Sequence, residues 1–349
     1  MKSVRMLGSV GSQVGKSKRF ILKEHFRGLP KKSDFQLVEE DLPALKDGDV
    51  LFKALYLSVD PYMRPTALRH PTGITMFGSQ VARVLETKNP AFKVGDNVVG
   101  FFGWRSLTVV NPDEVMSPYG GKSRPYVLPD FGEVPLSTGL GILGMPGNTA
   151  WFGLTKLCDP KPGETLVVTG AAGAVGSIVG QLGKILGLKV IGFAGSEDKV
   201  KWLTSELNFD HAFNYKTCNV RKVLSEAAPN GVDCYFDNVG GTISSDIMES
   251  MNNFGRVAVC GSISSYNAES RPTAPVTQPA IVMKQLRVEG FLVTRWSNLW
   301  FEGISKNLEF IKEGKLKFKE TIVKGFENTD EAFIGLFQGE NTGKAIVEA

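Results

Sequence analysis

The chain of 349 residues is long enough for two domains, because a single hydrophobic core stops growing beyond about 250–300 residues. Hydrophobic residues at 42% and charged residues at 22% exclude a disordered chain. The 40 basic and 36 acidic side chains leave a net charge of +4, which is too small to predict binding to nucleic acid or to an anionic membrane. No apolar run reaches the about 20 residues of a membrane-spanning helix.

The N-terminal segment 1–17 is predicted to be a disordered extension. The first 23 residues carry six basic and no acidic side chains, a composition that mitochondrial targeting peptides share. Gly8, Gly11 and Gly15 would weaken the amphipathic helix that such a peptide forms. The four cysteines of the chain form no Cys-x-x-Cys pair and are typical of buried thiols in a reducing compartment. A cytoplasmic location is therefore favoured, and a mitochondrial one stays open.

Residues 19–130 are predicted to be rich in short strands. Segments 50–59 and 80–87 alternate or run apolar over strand lengths. Segments 46–49 and 93–96 carry the Gly and Asp residues of turns. Many short strands without regular helices predict a partly open barrel.

From residue 147 the pattern changes to alternating helices and strands. A helix is predicted over 147–158, with Asn148 or Thr149 as its N-cap. The strands that follow are predicted at 165–169, 188–194, 232–238, 255–261 and 287–293, and the helices at 175–187, 197–207, 243–251 and 303–313. Short apolar strands separated by amphipathic helices predict a parallel sheet that is covered on both faces. Residues 316–349 are predicted to return to short strands.

A glycine-rich segment follows strand 165–169 and is the strongest chemical signal. Gly170, Gly173 and Gly176 stand between that strand and the next helix. Glycine lets the backbone turn sharply and approach a pyrophosphate, and the helix N-terminus presents N–H groups and a positive dipole end to the phosphates. The spacing is a variant of the dinucleotide-binding fingerprint, and its place between a strand and a helix makes it specific.

The end of the second strand decides between NAD and NADP. NAD-binding folds usually place Asp or Glu there, about 20 residues after the glycines, to bind the ribose hydroxyls. Here the strand ends at Ala194 without a carboxylate. Ser196, Lys199 and, after the third strand, Tyr215 are placed to bind a 2′-phosphate instead, so NADPH is the predicted cofactor.

The histidines and cysteines predict no metal site. His25, His70 and His211 are the three histidines, and none lies near a cysteine at the spacing of a zinc dehydrogenase. Without a metal, a hydroxyl or another protein donor must polarise the substrate oxygen. This favours reduction at a carbon activated by conjugation over direct oxidation of an alcohol.

Six segments, in order, resemble those of the prostaglandin reductases. This zinc-independent branch of the medium-chain dehydrogenase/reductase superfamily is also called leukotriene 12-hydroxydehydrogenase, and plant alkenal double-bond reductases are its relatives. The segments are 58-SVDPYMR-64, 144-GMPGNTAWFGL-154, 169-TGAAGAVGS-177, 235-YFDNVGG-241, 260-CGSISSYN-267 and 325-GFENTDEAF-333. The resemblance runs from about residue 18 to the end.

The resemblance implies an α/β protein of two domains. A GroES-like, partly open β-barrel domain with the catalytic residues would span 18–142 and be completed by 318–349. A Rossmann domain with a doubly wound parallel sheet would span 143–317 and bind NADP, with the cleft between the two domains. A homodimer would form through the nucleotide-binding domains, along residues 290–295.

The resemblance also implies the cofactor contacts. These are Ala171, Ala172, Gly173, Ala174, Val175, Lys199, Tyr215, Asn238, Cys260, Gly261, Ser262, Ile263, Ser264, Ser265, Tyr266, Phe291, Leu292, Val293 and Asn341, and the residues themselves add Ser196. Tyr266, in the turn after strand 255–261, is the predicted catalytic residue, which donates a hydrogen bond to the substrate oxygen. Tyr62 and Arg64 are predicted to line the substrate pocket. Arg64 has two interpretations, a partner for a substrate carboxylate or a salt bridge within the barrel.

The predicted function is NADPH-dependent reduction of the conjugated C=C bond of α,β-unsaturated ketones and aldehydes. The substrates of the family include 15-oxo-prostaglandins and lipid-derived alkenals, and oxidation of leukotriene alcohols stays open as a second activity. Two alternatives are a zinc-free NADPH quinone reductase and a non-catalytic NADPH-binding protein. Trp296, Trp300 and Phe301 either contact a long acyl chain or belong to a core or a dimer edge.

Overall fold

In a computed structural model, which describes residues 15–349, the N-terminal part of the chain is a strand-rich body. Its elements are β1 (Lys16–Leu22), β2 (Phe35–Asp41), β3 (Val50–Ser58), α1 (Met63–Ala67), β4 (Gln80–Thr87), β5 (Asn97–Gly100), β6 (Leu107–Val110) and β7 (Tyr126–Val127). The strands β1 and β2 form an antiparallel ribbon, and β3 pairs with both β4 and β6. Val50, Phe52 and Ala54 are buried at alternate positions of β3, which is the period of a half-buried strand.

The C-terminal residues return to this body. Strands β14 (Glu320–Lys324) and β15 (Lys344–Glu348) extend its main sheet in the order β14-β15-β3-β4-β5-β7, and β15 runs antiparallel to β3. Phe333 and Val347 from the C-terminus pack in one buried cluster with Phe20 and Trp104 from the N-terminal part. Burial of these side chains holds the two ends of the chain together.

The central region is a six-stranded parallel sheet with helices on its faces. Its elements are α2 (Met145–Phe152), β8 (Thr165–Thr169), α3 (Gly176–Ile185), β9 (Lys189–Ala194), α4 (Glu197–Ser205), β10 (His211–Asn214), α5 (Val220–Ala227), β11 (Val232–Asp237), α6 (Gly241–Glu249), β12 (Met251–Val259), α7 (Ile263–Tyr266), α8 (Gln278–Met283), β13 (Arg287–Gly290) and α9 (Trp300–Lys312). The strand order is β10-β9-β8-β11-β12-β13. All five residues of β8 are buried, because helices cover both faces of the sheet. The predicted α/β fold class is confirmed.

The order of the strands reverses between β8 and β11, because the strands after β8 are added on one side of it and those from β11 onward on the other, and this position determines where a ligand binds. In sheets of this kind a crevice opens there, beyond the carboxyl ends of the strands. The start of β15 meets the same crevice, since the backbone N–H of Gly343 donates to the carbonyl oxygen of Ala172 at 2.8 Å. The strand-rich body therefore contacts the glycine-rich turn directly.

The N-cap predicted for the first central helix is wrong. Helix α2 begins at Met145 with Gly144 in the N-cap position, and Pro146 occupies its first turn, where a missing N–H costs nothing. Asn148 and Thr149 lie inside the helix. The Asn148 amide donates to the carbonyl oxygen of Trp300, and the Thr149 hydroxyl donates to that of Met145.

Several further elements differ from the sequence expectation. Residues 316–349 contain, besides two strands, the helix α10 (Thr329–Gln338), whose Ala332 and Phe333 face the core. Strand β13 ends at Gly290 rather than 293. Strand β1 begins at Lys16, so 16–17 are ordered and Ser17 is buried, whereas 1–14 of the predicted extension lie outside the described residues. Between residues 15 and 349 no helix is long and apolar enough to cross a membrane.

Candidate active site

A cavity of about 1610 Å³ opens at the carboxyl ends of the central strands, against the strand-rich body. A pocket for one small molecule usually measures about 300–1,000 Å³. The cavity therefore has room for a dinucleotide and a second ligand. Both parts of the chain contribute to its wall, from Gly170 and Tyr215 on the central sheet to Tyr62 and Lys344 on the strand-rich body.

The glycine-rich turn forms one side of this cavity. Gly170 has a φ of +60°, which favours glycine. A Cβ on Gly176 would lie 2.8 Å from the Cα of Ala171 and closer still to the carbonyl oxygen of Gly170, so only glycine fits between the turn and helix α3. Among residues 15–349 no side chain caps the N-terminus of α3. The N–H groups of Ser177 and Ile178 donate to backbone carbonyls of the turn, so the N–H groups just before them, at 174–176, are the ones placed to meet an anion.

The end of β9 leads to a positively charged corner of the cavity. The Ser196 hydroxyl accepts from the N–H of Lys199 and so caps α4, and both residues line the cavity. Burial, and then the charge of Lys216, lower the pKa of Lys199. Both lysines line the cavity, and neither forms an ion pair with a carboxylate among residues 15–349. Tyr215 lies beside them. Glu197 turns away and accepts a hydrogen bond from the Asn214 amide at 2.9 Å.

Asp237, at the carboxyl end of β11, fixes the loop that faces the cavity. Its carboxylate accepts from the backbone N–H groups of Val239 and Gly240, each at 2.9 Å, and from the hydroxyl of Ser244 at 2.7 Å. The neighbouring Asn238, a predicted cofactor contact, lines the cavity and donates through its amide to the carbonyl oxygen of Thr169 at 2.8 Å. Asp237 was not predicted from the sequence as a site residue, although a carboxylate at the end of a buried strand is a recognisable signal.

Tyr266 ends the short helix α7 and points its hydroxyl back to the loop after β12. That oxygen accepts a hydrogen bond from the N–H of Ser262 at 3.2 Å, so the hydroxyl hydrogen is free for a ligand. Burial raises the pKa of Tyr266, which keeps the phenol protonated at neutral pH. Burial also raises the pKa of the adjacent Cys260 to about 12, so this thiol stays neutral.

The opposite wall comes from the strand-rich body. Asp60 and Lys344 form a buried ion pair at 3.0 Å, and the Lys344 ammonium also donates to the carbonyl oxygen of Val59. The ring of Tyr62 packs against that of Tyr119, with centroids 5.5 Å apart. Burial and then Asp60 raise the pKa of Tyr62 well above its usual value. Tyr62 lines the cavity as expected, and Tyr119 and Lys344 are residues that sequence analysis missed.

Arg64 does not line the cavity, which corrects its predicted place in the substrate pocket. It is buried within the strand-rich body and donates to the carbonyl oxygens of Phe26 and Gly28, each at 3.1 Å. Its guanidinium also lies over the Phe26 ring, 5.2 Å from the centroid. Arg64 is thus a structural residue. Backbone carbonyl groups bind its guanidinium, and not the salt bridge within the barrel that was the second interpretation of the sequence. Arg69, two residues beyond the end of α1, lines the cavity instead.

Most of the other predicted cofactor contacts lie on the cavity wall. These are Ala172, Gly173, Ala174, Val175, Cys260, Gly261, Ile263, Ser264, Phe291, Leu292, Val293 and Asn341. Three predicted contacts do not line it. Ala171 is fully buried behind the turn, and the hydroxyls of Ser262 and Ser265 are 3.1 Å apart and bond to each other. These two side chains stabilise the short helix α7.

The aromatic cluster predicted after residue 295 divides between two places. Trp300 and Phe301 line the cavity together with Tyr126, whose ring meets that of Phe301 edge-on at 5.4 Å. Trp296 is buried and stacks on Phe152 at 5.6 Å, so it belongs to the core. The substrate side of the cavity is therefore mainly aromatic and apolar.

The three histidines serve no metal cluster among the described residues. The ring of His25 bonds to the carbonyl oxygen of His70, and the ring of His70 bonds to that of Pro118. Residues 15–349 contain no group of three His, Cys, Asp or Glu side chains that could hold a metal ion.

Comparison with known proteins gives full-length matches. A family model for the N-terminal domain of oxidoreductases matches residues 18–117, and one for zinc-binding dehydrogenases matches residues 174–312. The chain is 48% identical over 337 residues to prostaglandin reductase 1 of Bos taurus, covering 95% of this chain and 99% of that protein. It is 39% identical over 344 residues to the NADP⁺-dependent 2-alkenal reductase of Nicotiana tabacum, covering 95% and 97%. The crystal structure of CurA from Vibrio vulnificus in complex with NADPH superimposes with a TM-score of 0.86 at 34% identity, covering 95% and 99%.

Proposed function

The chain belongs to the prostaglandin reductase family of zinc-independent medium-chain dehydrogenases/reductases, and we infer that it reduces the C=C bond of α,β-unsaturated ketones and aldehydes with NADPH. One observation carries this proposal. A single cavity joins the glycine-rich turn to the hydroxyl of Tyr266, so a nucleotide site and a hydrogen-bond donor face the same space.

The residues of the cavity suit NADPH. The uncapped N-terminus of α3 suits a pyrophosphate, and the absence of a carboxylate at the end of β9 suits a phosphorylated ribose. Lys199, Lys216 and Tyr215 would hold the 2′-phosphate. When bound, NADPH supplies a hydride to the β-carbon of the substrate.

The protein stabilises the charge that develops on the substrate. Tyr266 would donate its free hydroxyl hydrogen to the carbonyl oxygen, which becomes negative as the enolate forms. Asp237 holds the loop beyond β11, which keeps the cofactor side of the cavity in place. The aromatic rings of Tyr62, Tyr126 and Trp300 line the substrate side and limit the access of water. The α-carbon then takes a proton from a tyrosine or from water.

The proposal extends to the organisation of the chain. Residues 18–142 with 318–349 would form the GroES-like domain and 143–317 the Rossmann domain. A homodimer would form along residues 290–295, which directly follow β13, the edge strand of the six-stranded sheet. Val288 within this strand and Met283 and Leu292 on either side of it are exposed. The cysteines are four free thiols, which suits the reducing cytoplasm.

Oxidation of NADPH with a substrate panel tests the proposed function. The panel is an alkenal, a 15-oxo-prostanoid and a quinone, each assayed with NADPH and with NADH. We expect saturable turnover of the alkenal or the prostanoid, with NADPH strongly preferred. Turnover of the quinone alone would favour a quinone reductase. NADPH binding without turnover of any of the three would favour a non-catalytic binding protein.

A further inference from the structure

One step of the proposed reaction needs a proton donor at the α-carbon of the substrate. Hydride transfer to the β-carbon leaves an enolate, and the α-carbon must gain a proton before the saturated ketone can leave. A phenol is a much stronger acid than the α-hydrogen of a ketone, so a tyrosine that reaches this carbon can protonate it. Five tyrosines line the cavity and are the candidate donors: Tyr62, Tyr119, Tyr126, Tyr215 and Tyr266.

The positions of three of these tyrosines exclude them. Tyr215 directly follows β10, at the corner of the cavity proposed for the 2′-phosphate. The hydroxyl oxygen of Tyr126 is almost completely covered by protein atoms, so it cannot reach a ligand. Tyr266 would already donate its only hydroxyl hydrogen to the substrate oxygen. Tyr62 and Tyr119 remain, and their rings pack together on the strand-rich wall of the cavity.

Access to water separates the two remaining tyrosines. The donor loses its proton in every turnover and must regain one from the solvent. Tyr119 is 40% exposed, whereas Tyr62 is half-buried. Burial, followed by the charge of Asp60, raises the pKa of Tyr62 well above its usual value. A phenolate at Tyr119 therefore takes up a proton from water more readily than one at Tyr62.

A tight turn holds Tyr119 at the cavity wall. The N–H of Ser117 donates to the carbonyl oxygen of Gly121 at 2.9 Å, and the N–H of Tyr119 donates to the hydroxyl of Ser117 at 3.2 Å. The ring of His70 bonds to the carbonyl oxygen of Pro118 at 2.9 Å and ties this turn to the rest of the strand-rich body. The phenol hydroxyl of Tyr119 forms no hydrogen bond with residues 15–349, so its hydrogen is free for a substrate.

This hydroxyl is influenced by groups on both walls of the cavity. Burial and then Asp60 raise the pKa of Tyr119. Tyr266 and Cys260 raise it further, and Arg69 opposes them. Asp60 belongs to the strand-rich wall, whereas Tyr266 and Cys260 follow β12 on the nucleotide side. The α-carbon lies only two bonds from the carbonyl oxygen, so a substrate bound to Tyr266 would present this carbon close to the Tyr119 hydroxyl.

We propose that Tyr119 is the catalytic residue that protonates the α-carbon, and that it acts from the strand-rich side of the substrate. The inference rests on the proposed function. The O–H bond of Tyr119 breaks, a C–H bond forms with the electron pair of the enolate, and the phenolate then takes a proton from water. Because Tyr119 stands on the strand-rich wall and the nucleotide site lies on the central sheet, the proton and the hydride add to opposite faces of the double bond.

The stereochemistry of the product tests this proposal. The substrate is an E-configured enone with a methyl group on its α-carbon and a butyl group on its β-carbon, and the NADPH is deuterated at the transferable position of nicotinamide C4. NMR of the saturated ketone shows whether the α-hydrogen and the β-deuterium were added to opposite faces or to the same face. The proteins are the wild type, Tyr119→Phe and the matched control Tyr62→Phe, which removes the hydroxyl of the neighbouring ring on the same wall.

We expect the wild type to form the product of addition to opposite faces in roughly 100-fold excess, because a positioned general acid is typically at least about 10²-fold faster than water. Tyr119→Phe should form a nearly equal mixture of the two diastereomers, since water protonates the enolate from either face. Tyr62→Phe should keep the excess.

Four results would overturn the role of Tyr119. They are a mixture from the wild type, addition to the same face by the wild type, an unchanged excess in Tyr119→Phe, and an equal loss of the excess in both variants. Addition to the same face would indicate a donor on the nucleotide side, and an equal loss would indicate a general loosening of the wall. The proposed function is tested separately in the same reactions, since the absence of any saturated ketone from the wild type would refute that function and this role with it.

Discussion

At the scale of single residues, the hydroxyl of Tyr266 donates no hydrogen bond to any group among residues 15–349. The phenol oxygen accepts from the N–H of Ser262, and the residue is anchored by its own short helix. We expect Tyr266→Phe to lower kcat for an enone by about 10²–10³-fold, since one donor to a developing oxyanion contributes about that much. The dissociation constant of NADPH should stay within about twofold. Tyr62→Phe is the matched control, because it removes a hydroxyl from the same cavity but keeps the ring that packs on Tyr119.

The same tyrosine fixes the pH dependence on the alkaline side. Burial raises the pKa of Tyr266 above the value near 10 of a free tyrosine. Only the protonated phenol donates a hydrogen bond, so kcat should be constant up to about pH 10 and fall above it. A pH profile with saturating enone measures this, and an alkaline midpoint below pH 9 that is absent in Tyr266→Phe would contradict the assignment.

Lys199 is expected to determine the preference for NADPH over NADH. Lys199→Ala should raise the KM for NADPH roughly tenfold and change that for NADH little, because only NADPH carries the 2′-phosphate. Arg221→Ala is the matched control, since Arg221 lines the same end of the cavity but is already paired with Asp246. Equal effects of the two substitutions on the NADPH/NADH ratio would count against the assignment.

Site residues could be predicted from the sequence where the position of a residue relative to a strand end determines what it can bind. Ser196, Lys199 and Tyr215 could be named because the end of a parallel strand is a known ligand position. The two arginines after β3 could not be told apart. Arg64 lies in the short helix α1 and Arg69 follows its end, and only the tertiary structure shows that the first is buried and the second lines the cavity.

At the scale of elements, the turn between β8 and α3 is constrained by its own backbone. A Cβ on Gly176 meets backbone atoms that cannot move away, so Gly176→Ala should destabilise the protein by about 1–3 kcal/mol. Urea denaturation measures this loss, and NADPH affinity should fall with it.

Gly173→Ala provides the contrast within the same turn. Its Cβ would meet only the carbonyl oxygen of Gly170, at 3.2 Å, and would project where Gly173 lines the cavity. We expect near wild-type stability and weakened NADPH binding. A variant that binds NADPH normally would show that the cofactor does not approach this glycine.

The bounds of the helices and strands show where local sequence patterns do not predict the structure. The strands β8 and β11 were predicted almost to the residue, because apolar runs between turns are unambiguous once a parallel sheet is recognised. The N-cap at Asn148 was wrong because its side chain bonds across the core to Trp300, a contact that no local pattern contains. The helix α10 was missed although Ala332, Phe333 and Leu336 have helical spacing, since the segment is short and lies between strands.

At the scale of the whole molecule, the C-terminal strands complete a sheet that begins almost 300 residues earlier. Pairing of β15 with β3 brings Lys344 to Asp60 and Gly343 to the glycine-rich turn. No periodicity in the sequence contains this pairing, and only the resemblance to a family pointed to it. The cavity depends on it, because both walls meet along residues 341–345.

The exposed edge of the central sheet predicts the oligomeric state. An edge strand offers N–H and C=O groups that can pair with another chain, and β13 is such an edge with exposed apolar residues beside it. We expect a dimer by sedimentation equilibrium at micromolar concentration, and a shift towards monomer in Val288→Lys. The equally apolar but remote Val94→Lys, on a turn of the strand-rich body, should remain dimeric. A monomeric wild type would refute the proposed interface.

Tracing the transferred hydrogen tests the proposed reaction. The protein is incubated with an enone and NADPH deuterated at the transferable position of nicotinamide C4, and the product is analysed by mass spectrometry and NMR. We expect a saturated ketone with one deuterium at the β-carbon, and deuterium at the α-carbon only when the reaction is run in D₂O. Deuterium at the carbonyl carbon of an allylic alcohol, or a reduced product without deuterium from the cofactor, would contradict it.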